Sequence, residues 1–215
     1  MACRRAASLF GVTDTATPRT KPAAERRKDL LDAGLALFTE RGIARTTVSE
    51  ITHRAGVAQG TFYLHFPSKD ALLFALQARF EQRIVQRARA AIGRAGPDWG
   101  AKLDACVVAV FDDYERELGQ HDVLFAHLPR DASRRESGTH LGRGLTAVIA
   151  DLIAEAAQAG AFDVADVDVT ALLLFSALHG GFDELVHVGP EVAKQRLLPP
   201  LLALFRRTVG AAPPP

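Results

Sequence analysis

The chain has 215 residues, 48% hydrophobic and 24% charged, enough for one or two domains with a real core. Two cysteines, Cys3 and Cys106, offer no disulfide framework and fit a reducing compartment. No run approaches the ~18–20 apolar residues of a membrane span, and the start, MACRRAASLFGVTD, lacks the apolar stretch of a secretory signal, so the expected location is the cytoplasm. The net charge of +1 conceals an asymmetry: residues 1–90 carry 15 Lys and Arg against 8 Asp and Glu, the remainder 11 against 17. A basic first part and an acidic second part suggest that only the first meets a polyanion; the alternative is a chance fluctuation over a solvated face.

In chain order, residues 1–22 are basic and lack apolar periodicity, and read as a flexible arm. Residues 23–72 and 73–210 read as two helical units, and 211–215 as a disordered tail. Apolar residues recur at helical spacing almost throughout. Leu103, Val107, Val110, Phe111, Tyr114 and Leu118 make one stripe; Leu141, Leu145, Val148, Ile149, Leu152 and Ile153 make another. No period-two segment stands out, so the expected class is all-α. Gly42 ends the first helix and Gly56 the second. Pro67-Ser68 closes the third and caps the fourth, which stops near residue 93, ahead of Gly96-Pro97. Arg130 to Gly138 reads as a polar loop, Gly160 as a helix end, and Gly189-Pro190 as the break between the last two long helices. Pro199-Pro200 should kink or restart the final helix, since proline removes a donor and clashes with the preceding turn.

Thr47 to Phe66 is the informative stretch. Thr47-x-x-Glu50 is a capping-box pattern, and Val48, Ile51 and Ala55 form one buried side of a short helix. Gly56-Val57 supplies a tight turn. Phe62 and Phe66 can point back to the core, which leaves Gln59, Thr61, Tyr63 and His65 largely outward. Two short helices, a glycine turn and an outward polar face match a helix-turn-helix, whose second helix enters a major groove.

Arg27 to Leu76, RKDLLDAGLALFTERGIARTTVSEITHRAGVAQGTFYLHFPSKDALLFAL, resembles the DNA-binding domain of TetR-family transcriptional regulators. Ala33, Leu37-Phe38, Gly42, Thr46-Thr47-Val48, Ile51, Ala55-Gly56-Val57, Gly60-Thr61-Phe62-Tyr63, His65-Phe66 and Ser68-Lys69 carry the resemblance, which covers about a quarter of the chain. The resemblance implies contacts to double-stranded DNA. Thr47 would sit at a helix N-terminus suited to a phosphate. Gln59 would read a base, as glutamine pairs bidentately with adenine. Gly60, Thr61, Tyr63 and His65 would lie along the groove, and Lys69 would meet a phosphate. Arg45 would reach phosphate or groove, and the arm with Arg19, Lys21, Arg26 and Arg27 would add contacts. Tyr63 suits the core equally well, and Arg45 suits solvent. Ala58 stands where many relatives have a small polar residue, which removes a helix cap or backbone contact and shifts discrimination toward Gln59.

In the second part, Gly180-Gly181 lies within a helix expected over Asp168 to Val188, at a cost of about 1 kcal/mol each. That cost suggests a close helix approach, as at a dimer seam. Leu172, Phe175, Leu178, Phe182, Leu185, Leu198, Leu201, Leu202 and Phe205 exceed what two helices bury, so these helices should pair with their copies in a homodimer as a four-helix bundle. Such a dimer reads a palindromic operator. The resemblance further implies a small-molecule pocket. Its candidate lining is Phe111, Tyr114, Phe125, His127, Leu145, Ile149, Phe175 and His179, residues that serve a core equally well; the walls favour a largely hydrophobic effector. Arg134 and Arg135 could receive an anionic head, or simply be solvated.

The expected function is a DNA-binding transcriptional regulator, a repressor released by ligand, with a ligand-independent regulator as the alternative. An all-α enzyme is disfavoured: there is no G-x-S-x-G, H-E-x-x-H, Walker A, C-x-x-C or EF-hand pattern. Gly138 to Gly144, GTHLGRG, follows no strand, and the histidines are too scattered for metal-ligand spacing. No catalytic residue, metal or cofactor is assigned.

Overall fold

Hydrophobic periodicity at helical spacing gives what it promises. The computed structural model describes residues 21–125, 142–185 and 188–212, and these form helices and no strand. The elements are α1 Ala23–Arg41, α2 Val48–Ala55, α3 Gln59–His65, α4 Lys69–Arg94, α5 Trp99–Arg116, α6 Leu118–Phe125, α7 Arg143–Gln158, α8 Val167–Leu185 and α9 Pro190–Thr208. No described helix is long and apolar enough to cross a membrane. The arm up to Thr20 and the loop Arg130 to Gly138 lie outside the described residues.

Each boundary in the first unit has a local cause. Gly42, at φ 83°, ends α1 and donates its N–H to the Phe38 carbonyl. Before α2 the capping box is complete: the Thr47 hydroxyl accepts the Glu50 N–H, and the Glu50 carboxylate accepts the Thr47 N–H at 2.8 Å. Those two donors, first the Thr47 backbone N–H and then its hydroxyl, hold the Glu50 carboxyl below its ordinary value. Gly56 closes α2 in the left-handed region, φ 67° and ψ 34°, where glycine has no side chain to strain. Ala58 opens α3 with no side-chain cap, as its identity predicts, whereas Ser68 caps α4 by accepting the Ala71 N–H at 3.1 Å.

Packing then fixes the unit. Leu30, Phe38, Ile51, Phe62, Phe66 and Leu72 are fully or almost fully buried together. Gly34 lets α1 settle on α4, because a Cβ there would meet the Leu72 side chain at 2.6 Å. Lys69 adds a polar clamp: its ammonium donates to the carbonyls of Ile43 at 2.7 Å and Thr46 at 2.9 Å, tying the α1–α2 loop to the start of α4.

The 26-residue α4 runs unbroken through residues 72 and 73, so the expected division between the two units falls inside one helix. Its stripe Leu72, Leu76, Phe80, Ile84 and Ala88 passes from the first unit into the second, and the buried apolar residues of both form one continuous core. Three details depart from expectation. Leu118 does not continue α5; that helix ends at Arg116, and Leu118 begins α6. The final helix is unbroken across Pro199 and Pro200. Both prolines are exposed, as are Gln195 and Arg196, whose carbonyls lose their donors, so water can serve those carbonyls. A Cβ at Gly181 would meet Leu197 of the same chain at 3.1 Å, so that glycine serves the α8–α9 packing within one subunit, while Gly180 faces open space. Cys106 is buried and its thiol is pushed up to about 12 by desolvation, which leaves it unreactive.

The caps and the clamp make three predictions. Thr47→Ala should cost about 1 kcal/mol in urea unfolding. Since the folded Glu50 value is depressed, its stabilisation is complete above the ordinary carboxyl value of 4.5 and is lost as pH falls through the folded value, so the gap between wild type and Glu50→Ala should close in acid. Lys69→Ala should lower unfolding free energy by about 1–3 kcal/mol, because two carbonyls lose a charged donor; a lysine that only met DNA would leave stability unchanged.

Candidate nucleic-acid interface

The second helix of the α2–turn–α3 unit has two unlike faces. Phe62 is fully buried and packs edge-on against Tyr63 and at a tilt against Phe66, with ring centroids 5.4 and 5.7 Å away. Gln59 and Gly60 are exposed, and nothing lies within 4 Å of a Cβ built at Gly60. Thr61 and His65 are half-buried. Tyr63 is 54% exposed, which decides against a core role for it. Leu64, 81% exposed, was not singled out from the sequence. The signal was present, since an apolar residue between outward Tyr63 and His65 has no inward face to occupy.

The flanking groups are more committed than the sequence suggests. The Thr47 hydroxyl and N–H both serve the capping box, with the hydroxyl donating to Glu50 at 2.7 Å. Arg45 is exposed but donates its Nε–H to the Arg41 carbonyl at 2.8 Å. Arg41 in turn pairs with Glu50 at 2.8 Å, and Arg54 with Glu40 at 2.5 Å. Lys69 is half-buried in its clamp. Of the basic arm, Lys21 pairs with Asp29 at 2.6 Å, the Arg27 guanidinium lies 5.1 Å from the centre of the Phe66 ring, and Arg19 lies outside the described residues.

The candidate ligand residues divide. Tyr114, Phe125 and Leu145 line a cavity together with Phe80, Glu81, Ile84, His121 and Gly142. Its volume is about 10 Å³, room for one water at most. Phe111 and Ile149 are core: Phe111 packs edge-on against Phe182 at 5.3 Å, and both residues are almost fully buried. Phe175 stacks flat on His179, centroids 5.5 Å apart. A Cβ at Gly142 would collide with the Phe175 ring, so that glycine makes room for it. His127, Arg134 and Arg135 lie outside the described residues. His121, which the sequence reading passed over, sits among Tyr114, Phe125 and His179 at centroid distances of 5.3, 5.1 and 5.6 Å. Burial raises the Tyr114 phenol well above its ordinary value, helped by the charges of Asp183 and Glu81.

Comparison with known proteins agrees with this geometry. Residues 30–76, which span α2, α3 and the ends of α1 and α4 that pack on them, match the family described as bacterial regulatory proteins, tetR family. The HTH-type transcriptional activator FasR of Mycolicibacterium smegmatis is 36% identical over 104 residues, 48% of this chain and 47% of that protein. The HTH-type transcriptional repressor KstR2 of Rhodococcus jostii is 34% identical over 87 residues, 40% of this chain and 42% of that protein. The chain thus spans less than half the length of these relatives. The fold extends further: the crystal structure of the transcriptional regulator FadR from Bacillus subtilis in complex with stearoyl-CoA superposes with a TM-score of 0.63 at 20% identity, over 85% of this chain and 95% of that one. The helix-turn-helix geometry and the matched segment coincide, so residues 30–76 form a domain of the kind found in bacterial regulatory proteins of the tetR family.

Proposed function

We propose that the protein is a homodimeric, sequence-specific DNA-binding repressor that leaves a palindromic operator when a small, largely hydrophobic ligand binds its second unit. The observation that carries the DNA-binding reading is the outward face of α3, with Gln59, Thr61, Tyr63 and Leu64 presented on a helix anchored by Phe62 and Phe66. Gln59 is the adenine reader, and Leu64 suits a thymine methyl. Gly60 allows close approach of the helix, Thr61, Tyr63 and His65 meet the DNA backbone or thymine methyls, and Thr47, Arg45 and Lys69 meet phosphates with whatever hydrogen-bonding capacity their internal contacts leave.

Support for the dimer comes from what α8 leaves outside the core. Phe175, Leu178 and Phe182, and with them Leu201 and Phe205 of α9, are consumed within the subunit. Val169, Leu172, Leu173, Ser176 and Gly180 instead form an exposed stripe at helical spacing. Val192 and Leu204 are exposed on α9. Apolar residues ending on a small one suit close packing against a second copy.

The ligand reading draws on the stearoyl-CoA in the FadR complex and on the aromatic walls beside α6. A message from there has a physical route, since Gln77 of α4 donates to the Leu124 carbonyl of α6 at 2.7 Å and Arg83 donates to Glu117 and Gln120. The second reading, a ligand-independent regulator, takes the cavity of about 10 Å³ among the described residues beside α6 as it stands.

The test is fluorescence anisotropy on duplex DNA from upstream of the protein's own gene, against competitor DNA, with long-chain acyl-CoA thioesters added. Competitor-resistant binding that a thioester reverses supports the proposal; binding that nothing reverses selects the ligand-independent regulator. Failure to prefer any duplex in a genomic selection would overturn sequence-specific recognition. Gln59→Ala should lose about 1–3 kcal/mol of discrimination at one base pair per half-site. Leu172→Glu with Leu173→Glu should give a folded monomer by sedimentation with operator affinity reduced at least tenfold; an unchanged dimer would place the seam elsewhere.

A further inference from the structure

We infer that His121, His179 and Asp183 form a binding site for a divalent transition-metal ion between α6 and α8, beyond the DNA and effector roles proposed above. Each can offer one donor atom, and the three atoms lie within 4.8 Å of one another. Two separations are close to the need already: Asp183 is 3.9 Å from His121 Nε2 and 3.6 Å from His179 Nε2. Tetrahedral coordination with bonds of about 2.1 Å places donors about 3.4 Å apart, so small side-chain rotations complete the site.

The local structure favours ligation. His179 and Asp183 stand four residues apart on α8 and therefore share one face. His121 comes from the opposing α6, so the ion bridges two helices. The rings are orientated by packing, His179 flat against Phe175 and His121 against Tyr114 and Phe125. His121 also turns Nδ1 toward Asp122, 3.8 Å away, and Nε2 toward Asp183. A carboxylate on the far nitrogen of a ligating histidine is the usual arrangement, because it sets the tautomer that presents a lone pair to the metal. Entry is available, for the Asp183 side chain is 38% exposed while His121 is buried. Two imidazoles and one carboxylate suit Zn²⁺, Co²⁺ or Ni²⁺ over Mg²⁺ or Ca²⁺, which prefer oxygen, and leave at least one coordination position for water or another ligand.

The experiment is equilibrium dialysis of the chelator-treated full-length protein against Co²⁺ and Zn²⁺, with the Co²⁺ visible spectrum recorded. One ion per chain and ligand-field bands of a four- or five-coordinate site are expected. Asp183→Asn and His179→Gln should each weaken binding at least tenfold while keeping the wild-type circular dichroism, and the surface control His53→Gln should not. In the wild type, imidazole ¹⁵N signals of His121 and His179 should shift or broaden when Co²⁺ is added, which tests the site even if a variant misfolds. Absence of stoichiometric binding at micromolar free metal would mean a plain histidine–aspartate pair and overturn the site. Unchanged affinity in both folded variants, or Co²⁺ effects confined to other histidines, would overturn it equally. DNA binding is scored separately by anisotropy, so the failure of either proposal leaves the other standing.

Discussion

A seven-residue helix has almost no stability of its own in water, because nucleation costs more than one turn of hydrogen bonds returns. α3 is such a helix, and it lacks even a side-chain cap. It exists because Phe62 is driven completely into the core and Phe66, just past its end, follows. Full burial of such a ring is worth about 1.5–3 kcal/mol, comparable to everything α3 has to lose. The same two anchors set the rotation of the helix, so the face carrying Gln59, Tyr63 and Leu64 is outward by default. The interface is therefore a consequence of core packing, and the surface residues are left available to vary with the partner they meet.

This explains which parts were legible in the sequence. Caps and turns are decided within a few residues, so Thr47-x-x-Glu50, Gly42, Gly56 and Ser68 could be read directly, and all behave as their chemistry dictates. Side-chain direction in α3 was legible because Phe62 and Phe66 fix it. Pro199-Pro200 does not restart the helix, because the rule concerns lost hydrogen bonds and weakens where the orphaned carbonyls face water. The association of His121 with His179 was not legible: it depends on how α6 and α8 meet, which no spacing within either helix encodes. Scattered histidines along a chain say little about histidines in space.

Charge offers the same lesson in another form. The basic surplus before residue 90 reads as a polyanion footprint, yet part of it sits on α4 and pairs with carboxylates of the second unit. Arg87 donates to Asp113 at 2.6 Å, Arg83 to Glu117 at 3.3 Å and Arg89 to Asp151 at 3.0 Å. Asp113 is almost fully buried and takes a second arginine, Arg116, at 2.6 Å. A carboxylate so placed is tolerable only because two guanidinium groups compensate it. Part of the acidic second half and part of the basic α4 thus neutralise each other, and the positive charge left for a polyanion is smaller than the composition suggests.

The same α4 ties the second unit mechanically to the first. Its N-terminus belongs to the first unit through Leu72, through the cap at Ser68 and through the Lys69 clamp on the loop that precedes α2. Its middle holds α6 by the Gln77 and Arg83 side chains. The helix is continuous, so α6 cannot move along it without either breaking the buried Gln77–Leu124 hydrogen bond or carrying α4 with it. Leaving that amide unpartnered costs about 1–3 kcal/mol, the size of a typical coupling between distant sites. A displacement of α6 of any origin, whether an acyl chain between aromatic rings or an ion drawing His121 toward α8, would therefore be felt at α4, through the clamp at the helix-turn-helix, and directly at α1, on which α6 also packs.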